Sequence, residues 1–178
     1  GEFAVGTKKT IADAGMVFLG NIKEADMDTN VDMFSELPMI FRDSALLDRI
    51  HGFIRGWDIP RMSESMKVTG LSLNSEYFTE MLHLFRNDSV YDHLVDELLE
   101  EVDGDTRDIS AVKKIATAYL KILFPHYRKV SDVDLDLFDK YCLSRAIRMR
   151  QDIKNQLCLL DSEFKKVKMP EFKLKGRN

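Results

Sequence analysis

The chain has 178 residues, 44% hydrophobic and 31% charged, the proportions of a globular protein and not of a disordered or fibrous one. Twenty-six basic residues against thirty acidic ones leave a net charge of −4, which excludes a general nucleic-acid-coating role. Its longest apolar runs, such as residues 15–19, fall far short of the ~20 that span a bilayer. Cys142 and Cys158 lie on one predicted helix about 24 Å apart, too far for a disulfide, and two cysteines cannot build a four-ligand zinc site. Reduced thiols in a cytoplasmic protein are the expectation. Gly1-Glu2-Phe3 has no basic start leading into an apolar stretch, so no secretory leader is expected. There is no Met at position 1, and the chain closes on a basic, Pro-containing tail; it reads as a piece of a longer protein.

Residues 1–10 are polar and Gly-containing. Met16-Val17-Phe18-Leu19, stopped by Gly20-Asn21, is a continuous apolar run that predicts a strand buried on both faces. Residues 23–40 carry no clear period and predict a loop with one helical turn. A short helix is expected from Asp43-Ser44, and a second strand at His51-Gly52-Phe53-Ile54. From residue 74 the pattern is helical throughout. Asn74 or Ser75 caps a helix bearing Tyr77, Phe78, Met81, Leu82 and Phe85. Asp88-Ser89 caps the next, with apolar positions from Val90 to Val102 and Gly104 as its stop. Asp105 or Thr106 opens a third, with Val112, Ile115, Ala116, Tyr119, Leu120 and Leu123 inward, ended by Pro125. Ser131 opens the longest, to about Leu160.

The expected fold class is therefore mainly α. A partial α/β unit with one or two strands covers 1–62, a connector 63–73, a bundle of four helices 74–160, and a basic linker or tail 161–178. The acidic cluster from Asp96 to Asp105 and the basic tail from Lys165 to Arg177 read first as solvated surface. His51, His83, His93 and His126 have no metal-ligand spacing, and no metal site is expected. Ser110-Ala111-Val112-Lys113 fits the S-x-x-K pattern without its companion motifs, and no G-x-x-x-x-G-K-[ST] phosphate loop occurs.

Three segments, in order, carry a resemblance. Met16-Val17-Phe18-Leu19-Gly20-Asn21-Ile22 resembles the strand of AAA+ ATPases that ends in the sensor 1 asparagine. Phe41-Arg42-Asp43-Ser44-Ala45-Leu46-Leu47-Asp48-Arg49-Ile50 resembles their arginine-finger segment. The helix from Thr106-Arg107-Asp108 resembles the lid helix that opens on the sensor 2 arginine. The stretch Asp48-Arg49-Ile50-His51 through Gly56-Trp57-Asp58-Ile59-Pro60, with Ile122-Leu123-Phe124-Pro125-His126, is similar to the Lon-related BrxL family of BREX phage-defence systems, over roughly residues 1–160.

The resemblance implies a truncated AAA+ core followed by a helical lid. It implies Asn21 and Arg49 as catalytic residues and Arg107 as the nucleotide-contacting one. Asn21 would orient water and report the γ-phosphate, Arg49 would reach a neighbouring subunit's site, and Arg107 would touch phosphates in its own. Arg42 and Arg55 compete for the finger role; the motif triplet favours Arg49. Walker A and B segments would lie upstream of Gly1 and a Lon-like domain beyond Asn178. The parent is then a ring-forming ATPase using ATP and Mg2+, an ATP-dependent protease or a DNA-linked defence ATPase, with DNA a partner of the parent. The segment alone is expected to be inactive and to hold no nucleotide tightly, and to dimerise through the strand at 14–22. The competing readings are a stand-alone helical interaction module and a DNA-binding accessory domain working through the tail.

Overall fold

A computed structural model describes residues 2–5, 8–11, 15–35, 37–100 and 103–176, with the backbone alone for 2–5 and 8–11. The described chain is mainly α-helical. Strands β1 (Glu2–Val5) and β2 (Lys8–Ile11) pair antiparallel, with Glu2 opposite Ile11 and Val5 opposite Lys8. They form where the sequence suggests only a polar start.

The two strands expected from apolarity do not form. Residues 15–23 run irregularly, with Met16, Val17 and Leu19 exposed by 78%, 84% and 96%. A strand buried on both faces is stable only between neighbours that pair its backbone and cover both sides. Among the described residues no strand lies beside it. His51–Ile54 is likewise not a strand; it crosses the last helix, where the Phe53 N–H donates to the Met149 carbonyl at 3.0 Å. Gly52 permits that approach, because a Cβ there would stand 2.9 Å from Ile115 Cδ1 and from Met149 Cβ.

The helices follow their capping signals. Helix α1 (Ser44–Leu47) is one turn capped by Asp43, whose carboxylate accepts from the Leu46 N–H. Asn74 caps α2 (Ser75–Arg86) through bonds from the Glu76 and Tyr77 N–H groups. Helix α3 (Val90–Leu98) starts after Asp88, which accepts from the Val90 N–H. It ends earlier than expected because Leu99 leaves the helix to bridge Leu174. There the Glu100 N–H donates to Lys173 O and the Lys175 N–H to Leu98 O, both at 2.9 Å. The basic C-terminal segment is thus packed against the bundle at Leu174, and not free along its whole length.

Helix α4 (Thr106–Leu123) is capped by Asp105. The long final helix begins at Asp134 rather than Ser131: residues 130–132 form a 3₁₀ turn, and the Asp134 carboxylate accepts from the Asp136 and Leu137 N–H groups. It then runs as α5 (Leu135–Phe138), a π turn over Asp139–Leu143, and α6 (Ser144–Leu160). The π turn adds a residue to the helical circuit and brings Cys142 and Leu143 inward.

Helices α3, α4 and α5–α6 share the main core, built on Tyr91, Leu94, Leu98, Val112, Leu120, Phe138 and Ala146. By contrast α2 has no buried residue; it meets this core through Phe85, set edge-on to Tyr91 at 6.0 Å. A second cluster packs Met33, Phe34 and Leu47 onto Ile153 and Leu157 of α6. The N-terminal loops are therefore fastened to the same helix that serves the bundle. Burial pushes the Cys142 thiol up to about 12, and both cysteines are free. Among the described residues no helix is long and apolar enough to cross a membrane, and no group of three His, Cys, Asp or Glu side chains is placed to hold a metal.

Candidate functional site

Directly after α1, the chain turns through Asp48, Arg49 and Ile50 and passes the first turn of α4. Asp48, Arg49, His51, Thr106, Arg107, Ser110, Lys114 and Arg150 line an open pocket of about 230 Å³ between these two segments. Arg49 and Arg107, singled out from separate motifs, therefore share one cavity. Asn21 does not belong to it; it lies exposed on the irregular 15–23 segment.

The pocket floor is a buried ionic network. Arg150, 1% exposed, donates through Nε to Asp108 Oδ1 (2.6 Å) and through Nη2 to Asp48 Oδ1 (2.8 Å). Its Nη1 donates to the carbonyls of Asp48 (3.1 Å) and Ile50 (2.7 Å). Lys154, one turn further along α6, donates to Asp108 Oδ2 at 2.6 Å. The remaining Asp48 oxygen, Oδ2, accepts from Arg107 Nη1. Every carboxylate oxygen in this set has a cation, as buried charges require.

That arrangement leaves the pocket rim cationic. Arg107 is half exposed, and its one ionic partner here is an Asp48 that Arg150 already neutralises. Arg49 bonds the Ala45 carbonyl and has no carboxylate partner among the described residues. Lys114 stands 3.4 Å from His51 Nε2. Loss of solvent, then the charges of Lys114 and Arg150, hold His51 below its ordinary range, so the ring is neutral at pH 7 and adds a polar nitrogen without another charge. The α4 N-terminus, with its orphan N–H groups and positive dipole end, points the same way. The competing finger candidates are committed elsewhere. Arg55 forms a two-bond fork to Asp152, 2.8 Å from Nε and 2.7 Å from Nη2, and Arg42 pairs with Asp32 at 3.1 Å.

Sequence reasoning missed Asp48, Asp108, Arg150 and Lys154. A signal was present: Arg150 falls in the stripe Ala146, Arg150, Ile153, Leu157, and Asp108 in the stripe with Ala111, Val112 and Ala116, so each is a charge on a buried helical face. Their partners are 42 to 102 positions away and could not be assigned without the fold.

Two arginines from separate segments thus meet over one pocket with a cationic rim. The model of the family described as "Lon-like protease BrxL-like, ATPase domain" matches residues 1–170, and the chain belongs to that family. It is 30% identical over 163 residues to the Lon-like protease BrxL of Escherichia coli O9:H4 (strain HS), covering 88% of this chain and 22% of that protein. It is 28% identical over 162 residues to the Lon-like protease BrxL of Bacillus cereus (strain H3081.97), covering 86% and 23%. The chain spans less than a quarter of the length of these relatives.

Proposed function

We propose that this chain is the phosphate-sensing half of a BrxL-type AAA+ ATPase, acting with ATP and Mg2+ in a full-length, ring-forming parent. The carrying observation is the convergence of Arg49 and Arg107 with Lys114 and His51 on one pocket at the α4 N-terminus. Phosphoryl transfer is catalysed chiefly by placing cations and donors around oxygens that carry the charge, and these side chains are of that kind. Arg107 contacts phosphates in the ground state as sensor 2. Arg49, without a carboxylate partner among the described residues, acts as the finger, its planar and permanently charged head meeting the γ-phosphate across a subunit boundary. Asn21 acts as sensor 1; it lies outside the pocket, and its role rests on the motif alone. The phosphate loop and the acids that hold Mg2+ belong to other parts of the parent, so the segment alone neither binds ATP tightly nor turns it over. The parent's work is DNA-linked phage defence or ATP-dependent proteolysis, in the cytoplasm.

In the full-length ATPase, Arg49→Ala leaves nucleotide binding nearly intact and removes most turnover, since finger arginines contribute roughly 10³–10⁵ in rate in related systems. Arg107→Ala weakens both binding and turnover, and Asn21→Ala slows turnover more than binding. Rings mixing Arg49→Ala subunits with subunits unable to hydrolyse regain activity if the finger works across the interface. Normal turnover by the Arg49→Ala protein refutes the assignment. A second reading, a helical interaction module, draws on α2, whose Tyr77, Phe78 and Leu84 are exposed. It is favoured if a full-length protein with both arginines removed keeps its turnover.

A further inference from the structure

Arg150 lies beneath the pocket, on α6, and is not one of the residues a motif would select. We propose that Arg150 is a positioning residue that sets the geometry of both pocket arginines at once; the functional meaning of this rests on the phosphate-facing reading of Arg49 and Arg107 above. Three links carry it.

The carbonyls that Nη1 holds, those of Asp48 and Ile50, belong to the two residues flanking Arg49, so the backbone bearing Arg49 is pinned on both sides. Nη2 takes Asp48 Oδ1, which turns the other oxygen, Oδ2, toward Arg107 and fixes the direction in which that guanidinium leaves α4. Nε takes Asp108 Oδ1, one residue after Arg107, so the first turn of α4 is tied to the same planar group. Four of the five donors of one buried guanidinium thus define where two exposed arginines stand relative to each other.

The geometry needs arginine and not merely a positive charge. A guanidinium sends donors outward in several fixed directions in one plane. A lysine nitrogen in its place meets Asp48 or the Ile50 carbonyl, but not Asp108 as well. Lysine would nevertheless keep the charge balance, because Asp108 retains Lys154 and Asp48 retains Arg107. Arg150→Lys therefore separates charge neutralisation from positioning.

The experiment has two arms. In this chain, arginine Nε–H signals are recorded by heteronuclear NMR for wild type and Arg150→Lys. The expected result is that the Arg49 and Arg107 signals shift or broaden while the backbone amides of α3 stay in place; unmoved Arg49 and Arg107 signals overturn the proposal. If Arg150→Lys does not fold, the double variant Asp108→Ala/Lys154→Met, which removes the acceptor and its second cation together, cuts only the tie to α4. Arg107 should then move and Arg49 should not, and two unmoved signals again overturn it. In the full-length ATPase, Arg150→Lys should assemble normally and lose about 10–100-fold in turnover, the scale set by misplacing a catalytic group by about an ångström. Wild-type turnover refutes the proposal there. If instead Arg49→Ala and Arg107→Ala leave turnover intact, the phosphate-facing reading fails, and the NMR signals still decide whether Arg150 positions the pair.

Discussion

Gln156 is fully buried on α6, and its amide makes three bonds to one loop. Nε2 donates to the carbonyls of Thr29 (3.1 Å) and Val31 (2.9 Å), and Oε1 accepts from the Met33 N–H at 2.9 Å. Replacing it by Leu removes all three. The Met33 N–H is buried and pays its full desolvation, about 1–3 kcal/mol, while the two carbonyls are nearer solvent and lose about 0.5–1.5 kcal/mol each. Apolar burial of the new side chain returns about 1 kcal/mol. The expected loss is about 3 kcal/mol, or roughly 6–12 °C in melting temperature for a chain of this length.

Gln156→Glu sharpens the test. It keeps an acceptor for Met33 but sets a buried carboxylate against two carbonyl oxygens, so its folded-state pKa rises above the unfolded value of about 4.3. Such an acid destabilises at pH 7, and the penalty shrinks as pH falls through the raised folded-state pKa, since the folded state binds the proton first. The assay is urea unfolding followed by circular dichroism at pH 7 and pH 5, with hydrogen exchange at residues 29–34. Gln156→Leu should be the more stable of the two at pH 7, and the gap should narrow at pH 5. A Gln156→Leu protein with the wild-type midpoint and unchanged exchange at Met33 would refute the reasoning.

Gly104 holds φ +147°, and a Cβ there would sit 2.7 Å from Pro170 Cγ, so Gly104→Ala should cost about 1–3 kcal/mol through backbone strain alone. Faster exchange at the Lys175 N–H would report release of the C-terminal segment, and an unchanged melting temperature would count against it. His51 titrates below 6.5 in the folded state because of desolvation, Lys114 and Arg150. With the folded pKa lowered, the unfolded state binds the proton first, so stability falls as pH drops through about 6.5 and levels off below the folded value. His51→Gln should flatten that slope, and inorganic triphosphate seated among Arg49, Arg107 and Lys114 should raise the His51 pKa in an NMR titration. A titration curve unaffected by triphosphate would argue against an anion in this pocket.

The helices were legible because their signals are local. Asn74, Asp105 and Asp43 cap where their side chains reach N–H groups two or three residues on, and periodic apolar stripes fix which faces turn inward. The strands expected at 16–19 and 51–54 do not form, because a four-residue apolar run says that something should cover it and not what the backbone will do meanwhile. Phe18 finds a partner in Phe41, ring centres 5.0 Å apart, without any ladder. The early end of α3 depended on Leu174, whose bridge to Leu99 joins positions far apart in the chain.

The pocket divides the same way. Arg49 and Arg107 stood out because each sits in a short motif, one after a one-turn helix and one in the opening turn of a long one. What makes them neighbours lies on a third segment that no motif marks. Arg107 leans on a carboxylate, and a buried carboxylate survives only when it is itself compensated. Asp48 is that carboxylate, Arg150 compensates it, and Asp108 with Lys154 completes the charge balance below. A charge on the buried stripe of α6 is therefore as informative as the exposed arginines. It marks a network of buried polarity that fastens the Arg49 turn and the first turn of α4 to α6.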